Sequence, residues 1–292
     1  MITMKKLFFA LIALLAIAPL ALTSCNNDDE ENGEKPSVTL ATPPHKADAA
    51  KFTLKTPLKI PGKDMKVERI ELTESGHYFI TYTKASSGAK TRGGSDSEYL
   101  KGLYNSIAGG FELIDFGTIM LESDDVMVIT PKGGKSASVT YVKGSKTTTS
   151  EMTDYLCRTW TVTKTQLRFK VNGATVGREF QGACNMNEII AYAKENGAKI
   201  NDQLEPNTII TSITFTDSGS FIIDYKNGKF DVGTWNWANI SSGGISYKWD
   251  SADMGYSIEI GQAVAAFSGN TCNFGMKGKA NGEDFEVVFT LK

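Results

Sequence analysis

Runs in which apolar and polar residues alternate recur along most of the chain, and they predict β-strands. The clearest of them occupy residues 209–237. Alternate apolar side chains on either side of Asp217-Ser218-Gly219 share one face, so this part predicts a hairpin. Lys226-Asn227-Gly228-Lys229 supplies a second turn, because asparagine and glycine adopt positive φ at little cost. The run at 230–237 then makes the segment a three-stranded meander.

Similar runs extend across both halves of the chain, separated by turns rich in Gly, Ser, Asn and Asp. The predicted strands of the N-terminal half are 52–54, 67–73, 78–83, 111–116, 118–122, 126–130 and 137–142. Those of the C-terminal half are 156–162, 167–171, 209–215, 221–225, 230–237, 244–249, 256–260, 263–267, 272–276 and 285–291. The chain is therefore predicted to be all-β.

Two segments have the spacing of a helix rather than a strand. Apolar side chains at 99, 100, 103, 104 and 107 would share one face of a short helix. In the C-terminal half, Asn185 and Glu188 can cap a helix that carries an apolar stripe and ends at Gly197. One short helix is therefore expected in the second half of the chain.

Two of the predicted hairpins, at 67–82 and 210–225, have similar sequences. They are identical at six of sixteen positions, among them the turn residues Ser75-Gly76 and Ser218-Gly219. Gly117-Thr118 also matches Gly233-Thr234, which predicts extra residues in the first copy. The repetition indicates two related β domains. Convergent hairpin chemistry is the alternative explanation.

A stretch of small and polar residues at 143–150 is the predicted boundary between the two domains. We therefore predict an N-terminal antiparallel β domain over 36–148 and a C-terminal one over 149–292. Because closure removes exposed strand edges, the C-terminal domain is expected to form a closed antiparallel barrel.

The N-terminus has the features of an export signal. Lys5 and Lys6 precede an apolar run at 7–22, which is short for a membrane-spanning helix. Leu22-Thr23-Ser24-Cys25 follows, and it resembles the lipobox of bacterial lipoproteins. The resemblance implies removal of residues 1–24 and acylation of Cys25, which anchors the protein to the outer membrane. An ordinary core cysteine is the alternative.

The acidic segment that follows Cys25 predicts a disordered tether over 25–35. It carries five acids and no apolar residue between positions 26 and 34, so it cannot bury enough surface to fold. An acidic cluster at this place resembles the export signal of lipoproteins in Bacteroides-type bacteria, which implies exposure at the cell surface. The alternative is a spacer that faces the periplasm.

Charge and residue types argue against several functions. The chain has 31 basic and 33 acidic residues, and loss of the leader removes Lys5 and Lys6, so nothing indicates a nucleic-acid partner. His45 and His77 are the only histidines, and no catalytic triad, glycosidase motif, phosphate-binding loop or metal-ligand spacing is found. We therefore expect no catalytic residue, metal or cofactor.

Three cysteines follow Cys25, at positions 157, 184 and 272. Export permits one disulfide among them, in any of three pairings, but an anaerobic envelope would also leave buried thiols unpaired. No Cys-x-x-Cys motif is present. The cysteines therefore do not predict a redox or zinc site.

The C-terminal domain resembles a known family. Trp160 on an early strand, Gly233-Thr234-Trp235 in the meander and a length of about 140 residues are similar to the lipocalin-like domains of Bacteroides-type surface lipoproteins. The resemblance covers 149–292 and, more faintly, the first domain. It implies a lipocalin-like barrel in which a late-strand arginine packs over the tryptophan. This chain instead has Arg158-Thr159-Trp160 and no arginine within 284–292.

Aromatic residues of the second domain form the candidate binding site. They are Trp160, Trp235, Trp237, Tyr247, Trp249 and Tyr256. In a hollow barrel they would line a pocket for a small apolar or glycan ligand, and in a packed barrel they would be core. A bulge at Gly233 would change which residues point inward.

These observations lead to two functional hypotheses. The first is a lipid-anchored, non-catalytic envelope protein that holds a small apolar or glycan ligand in its barrel. The alternative is a structural or protein-interaction lipoprotein with packed barrels, which binds another envelope protein through an outer face. In both, the lipidated N-terminus attaches the protein to the membrane.

Overall fold

The computed structural model describes residues 49–85, 98–145, 150–198, 209–249, 261–280 and 283–292. The predicted signal peptide, Cys25 and the acidic tether lie outside these ranges, as do Tyr256 and the predicted strand at 256–260. Among the helices in these ranges, none combines the length and the hydropathy needed to span a membrane.

The N-terminal half of the described chain forms a closed eight-stranded barrel in which each strand pairs antiparallel with the next. Its strands are β1 (Ala50–Lys59), β2 (Lys66–Leu72), β3 (His77–Thr83), β4 (Glu98–Ile107), β5 (Gly110–Leu113), β6 (Gly117–Leu121), β7 (Val126–Pro131) and β8 (Ala137–Lys143). Pairing of β1 with β8 closes the ring. The seven strands predicted here are found, with shifted ends.

The predicted helix at 99–107 is wrong, because this segment is strand β4, paired with β3 and β5. Its apolar residues lie on both faces of the strand. Leu100 and Tyr104 face the barrel core, whereas Leu103 and Ile107 are exposed on the outer face. Apolar residues that occupy both faces of a strand can imitate the spacing of one helical face.

The C-terminal half forms a second closed barrel of eight antiparallel strands. Its strands, with two additional ones, are β9 (Thr159–Val171), β10 (Ala174–Gln181), β11 (Cys184–Asn185), β12 (Ile209–Phe215), β13 (Ser220–Tyr225), β14 (Phe230–Asn239), β15 (Gly244–Trp249), β16 (Gly261–Ser268), β17 (Thr271–Ala280) and β18 (Glu283–Leu291). Pairing of β9 with both β18 and β12 closes the ring and leaves β10 and β11 outside it. The predicted all-β fold with two antiparallel β domains, the C-terminal one a closed barrel, is confirmed, and the structure adds that the N-terminal domain is a closed barrel as well.

One strand prediction in this half needs correction. Residues 167–171 do not form a separate partner strand, because β9 continues unbroken from Thr159 to Val171. The partner is β10, which returns after the Asn172-Gly173 turn.

The predicted helix is confirmed as α2 (Met186–Glu195), which follows the six-residue helix α1 (Glu151–Leu156). The side chain of Asn185 accepts a hydrogen bond from the Asn187 amide and donates one to Glu188, so the predicted cap is present. Ile189, Ile190 and Ala193 form the buried stripe of α2.

The two hairpins with similar sequences also have the same geometry. Ile70 pairs with Ile80 in β2–β3, and the matching Ile213 and Ile223 pair in β12–β13. Both turns close with the same backbone hydrogen bonds, Thr73 N–H to His77 O and Gly76 N–H to Thr73 O in the first, and Thr216 N–H to Ser220 O and Gly219 N–H to Thr216 O in the second. The glycines of both turns have φ of 81°.

The proposed match between Gly117 and Gly233 is wrong. Gly102 on β4 pairs with Tyr78, just as Gly233 on β14 pairs with Phe221, so Gly102 is the counterpart. Gly117 instead begins β6. The extra residues of the first copy therefore lie between β3 and β4.

The two similar hairpins also contact each other and join the barrels. Outward-facing Phe79 of β3 packs with Ile222 and Val232 in a small apolar cluster. Lys101 Nζ lies 2.7 Å from Asp224 Oδ1 across the same contact. The outer faces of β3 and β13 are thereby shielded from water.

Candidate functional site

The structure places three of the six candidate aromatic residues deep in the second barrel. Trp160, Trp235 and Tyr247 are 0, 3 and 2 % exposed and belong to one apolar core. Trp237 is half-buried and packs against this core. Trp249 ends β15, and its side chain lies outside the described part, as does all of Tyr256.

The described rings are packed against one another. The centroid of Trp235 lies 5.7 Å from that of Phe215 and 5.5 Å from that of Trp237, both edge to face. Tyr247 lies 5.9 Å from Phe221. These separations are those of aromatic pairs in direct contact, so no ligand-sized space separates them.

The indole N–H groups are also engaged within the protein. Trp160 Nε1 donates to the carbonyl of Leu156 at 2.8 Å, and Trp235 Nε1 donates to the carbonyl of Thr216 at 3.0 Å. Trp237 Nε1 donates to Thr153 Oγ1 of α1 at 2.8 Å. These donors are therefore not directed at a bound molecule.

Arg158 supplies the cation that covers Trp160. Its guanidinium carbon lies 4.7 Å from the Trp160 ring and 4.4 Å from the Tyr155 ring, and its Nε donates to the Tyr155 carbonyl at 2.9 Å. Arg158 directly precedes β9, so its guanidinium packs over these rings at the end of the barrel where α1 lies.

Strand β14 shows no bulge at Gly233. Its pairing with β13 is continuous from Phe230 to Thr234, so residues 231, 233 and 235 all face the interior. The opposite face carries Phe230 and Val232, which pack in the cluster with Phe79 of the first barrel. Trp235 therefore faces the barrel core, whereas Phe230 and Val232 on the opposite face of β14 face the neighbouring barrel.

Gly261 makes room for the Tyr247 ring in the core. The two residues pair across β15 and β16, and a methyl group at Gly261 would lie 2.3 Å from the tyrosine Cζ. Burial raises the pKa of the Tyr247 hydroxyl well above its ordinary value. The tyrosine is thus a neutral core residue.

Replacement of Gly261 by alanine is expected to lower the free energy of unfolding by about 1–3 kcal/mol, because the new methyl group displaces the buried Tyr247 ring. The matched control is Gly275→Ala in β17, where the nearest atom to the added methyl is 3.6 Å away. Urea unfolding of both variants measures the difference. Equal stability of the two would show that the Tyr247 ring has free space to move into.

The first barrel has a similar aromatic interior that the sequence did not single out. Tyr78 Oη donates to the Ile114 carbonyl at 2.9 Å, and Tyr104 Oη donates to the Thr73 carbonyl at 3.0 Å. Phe52 lies edge to face with Tyr141 at 5.2 Å. This barrel is thus filled in the same way as the second.

The cysteines and histidines offer little reactive chemistry. Cys157, Cys184 and Cys272 are buried thiols that form no disulfide. Burial raises the pKa of Cys184 to about 12, which disfavours the nucleophilic thiolate. His77 Nδ1 lies 3.3 Å from Ser75 Oγ in a hairpin turn. Within the described ranges, no three His, Cys, Asp or Glu side chains are placed to hold a metal ion.

Glu71 is a buried acid at the contact between the barrels, and sequence reasoning missed it. It lies near the end of β2 with 2 % exposure and accepts hydrogen bonds from three hydroxyls of the other barrel. The only signal in the sequence is an acid beside apolar residues in Ile70-Glu71-Leu72. That signal has no meaning until the partner hairpin is known to lie against it.

Comparison of the chain with family models, curated proteins and solved structures finds no match. The resemblance to lipocalin-like domains therefore stays a prediction from the sequence. The chain is accordingly assigned by architecture, as a tandem of two closed eight-stranded antiparallel β-barrels.

Proposed function

We propose that the protein is a lipid-anchored, non-catalytic component of the cell envelope whose two packed barrels form a scaffold that binds another envelope protein. The observation that carries this proposal is the filled interior of the second barrel, where Trp160, Trp235 and Tyr247 are almost fully buried. A barrel filled with side chains leaves its outer surface for recognition. Leu103, Ile107 and Ile114 of the first barrel are exposed apolar residues on that surface.

The sequence at the N-terminus supports the anchor. The lipobox-like Leu22-Thr23-Ser24-Cys25 provides an acylation site, and the acids at 28–31 favour display at the cell surface. Several acyl chains on one cysteine hold a protein durably at a membrane. On this proposal the protein lies on the outer membrane and faces outward, with a periplasm-facing position as the alternative.

Protein purified without detergent is expected to contain no bound small molecule, because side chains occupy the described part of the barrel interior. Native mass spectrometry tests for a copurified species, and a thermal-shift screen of fatty acids and glycans tests for stabilisation. A ligand at one hundred times its Kd would stabilise the fold by about 2.7 kcal/mol, which such a screen detects.

A lipocalin with its known fatty acid serves as the positive control for that screen. A copurified small molecule, or stabilisation that grows with ligand concentration, would overturn the packed-scaffold proposal. It would favour instead the hypothesis that the six aromatic residues, with Trp249 and Tyr256 among them, line a pocket for a small apolar or glycan ligand.

Replacement of Cys25 by alanine is expected to move the protein from the membrane fraction to the soluble fraction, because the acylated side chain is lost. Ser24→Ala is the control, since a small residue before the cysteine is retained. Fractionation followed by intact-mass measurement gives the result. An unchanged distribution, or a mature mass without acyl chains, would contradict the anchor.

A further inference from the structure

The contact between the barrels brings equivalent positions of the two copies face to face. Phe79 corresponds to Ile222 in the repeated hairpin, and these two side chains meet in one cluster. Tyr99 pairs with Thr81 and Phe230 pairs with Asp224, which makes Tyr99 and Phe230 equivalent as well. Their ring centroids lie 5.7 Å apart. The contact therefore has a local two-fold arrangement.

The turns of the two hairpins place a second equivalent pair together, and both members are acids. Glu74 and Asp217 occupy the same position in the repeat. Glu74 is 5 % exposed, and its Oε1 accepts the Asp217 backbone N–H at 2.9 Å. Its other oxygen, Oε2, is buried and has no hydrogen-bond partner within the described residues.

Burial, and to a smaller extent the neighbouring Asp217 carboxylate, raise the pKa of Glu74 to about 8, although the hydrogen bond from the Asp217 amide opposes the change. The carboxyl group therefore carries a proton when the hairpins are docked near neutral pH. A second negative charge beside Asp217 would be unfavourable in this dry contact.

Other charged groups surround the same contact. The first barrel contributes four titratable residues: Lys51 on β1, Glu71 on β2, His77 on β3 and Lys101 on β4. Lys51 Nζ donates to Ser220 Oγ at 3.1 Å, and Lys101 Nζ pairs with Asp224. Lys51 and Lys101 are thus engaged at other points of the contact, and among the described residues Asp217 is the charged neighbour that acts on Glu74.

We propose that the contact between the two barrels is a pH-dependent joint, in which the proton on Glu74 holds the hairpin turns together and its loss loosens them. Docking favours the protonated carboxyl because the docked site excludes water. Separation of the turns would return Glu74 to water, where it ionises readily. The barrels themselves stay folded while the joint loosens.

The direction of the pH dependence follows from the difference in the Glu74 pKa between the docked and the separated barrels. A carboxyl group whose pKa is higher when docked binds its proton more tightly in that state, so rising pH weakens docking. The effect begins near the ordinary value of 4.5 and levels off near 8. Between these limits the docking equilibrium constant is expected to fall about tenfold per pH unit.

Distance measurements between spin labels on the two barrels test this proposal. Lys135→Cys in the first barrel and Gln262→Cys in the second place labels at exposed positions, and the buried native thiols stay unlabelled. The full chain is used, with Cys25 acylated or replaced by alanine. In the otherwise native protein, we expect a single narrow distance at about pH 5 and a growing broad population towards about pH 9.

Two variants separate the proposed role from a merely structural one. Glu74→Gln is neutral at every pH and is expected to keep the narrow distance throughout. Asp217→Asn removes the neighbouring charge that raises the Glu74 pKa, so the pH effect should become smaller. Glu122→Gln, in an exposed turn of the first barrel, is the control and should behave as the native protein.

The proposal would be overturned if the label-to-label distance broadened with rising pH in Glu74→Gln as much as it does in the native protein. A native distance that stays constant from about pH 5 to about pH 9 would also overturn it. If Glu74→Gln fails to fold, Glu74→Leu gives the decision, because it also carries no titratable group: a distance that broadens with pH in that variant as it does in the native protein would overturn the proposal.

Discussion

Replacement of Trp235 by alanine is expected to lower the free energy of unfolding by about 3–5 kcal/mol, the usual loss when a large aromatic core residue is truncated. Trp235 is 3 % exposed and contacts both Phe215 and Trp237. The substitution removes these ring contacts, leaves a cavity and leaves the Thr216 carbonyl without its indole donor. Urea unfolding followed by circular dichroism measures the change.

The same variant discriminates between the packed and the hollow barrel. In a ligand pocket the Trp235 ring would face space that water or ligand fills, and its removal would cost less than about 1 kcal/mol. The matched control is Leu103→Ala on the outer face of β4, where the side chain is 52 % exposed and the loss should stay within about 0.5 kcal/mol. Similar losses for both variants would contradict the packed core.

Alternation of apolar and polar residues was sufficient to predict most strands because each barrel strand has one dry face and one wetter face. It failed at β4, where Leu103 and Ile107 are apolar although they are exposed. It failed differently at β9, where Thr163 to Gln166 form a polar interval that looked like a break between two strands. In both cases pairing with neighbouring strands, which no local window contains, fixes the conformation.

Long-range contacts also explain what the sequence left open about the site. The Arg158 side chain covers Trp160 only because α1 and the start of β9 bring Tyr155 and Trp160 to the same end of the barrel. The inward direction of Trp235 depends on the unbroken pairing of β14 with β13. The aromatic residues were therefore recognisable as a group, but whether they fill or line the barrel required their partners.

The repeat in the sequence indicated more than a shared fold. The two similar hairpins are the surfaces by which the barrels meet, with Phe79 against Ile222 and Glu74 against Asp217. Similarity at 67–82 and 210–225 could predict that the copies fold alike, but it could not predict that they dock on each other. The buried acids Glu71 and Glu74 are explained only by that docking.

Replacement of Glu71 by alanine is expected to weaken the contact between the barrels by about 3 kcal/mol, because the variant loses charge-assisted hydrogen bonds in a buried site. In the native protein Glu71 Oε1 accepts hydrogen bonds from Thr216 Oγ1 at 2.8 Å and from Ser218 Oγ at 2.6 Å. Glu71 Oε2 accepts a hydrogen bond from Ser220 Oγ at 2.6 Å. Without the carboxylate these three hydroxyl groups face a buried void. Lys51 Nζ donates to Ser220 Oγ, and in the variant this hydroxyl no longer connects the lysine to the negative charge of Glu71.

The measurement is again the distance between labels at Lys135→Cys and Gln262→Cys, together with the free energy of unfolding. Glu71→Ala is expected to broaden the distance at every pH, unlike the native protein, which broadens only as Glu74 loses its proton. Glu71→Gln keeps one acceptor oxygen and should have an intermediate effect. Glu112→Ala, an exposed acid on β5, is the matched control and should leave the distance unchanged.

These variants also distinguish loss of the contact between the barrels from loss of packing within one barrel. Glu71 belongs to the contact, so its loss should separate the barrels while each aromatic core stays intact, whereas Trp235→Ala should destabilise the second barrel and leave the first unaffected. Near-ultraviolet circular dichroism reports the packing of the aromatic cores independently of the distance. If Glu71→Ala melts the cores without first widening the distance, the hydroxyl cluster stabilises the fold as a whole and the barrels do not move as separate bodies.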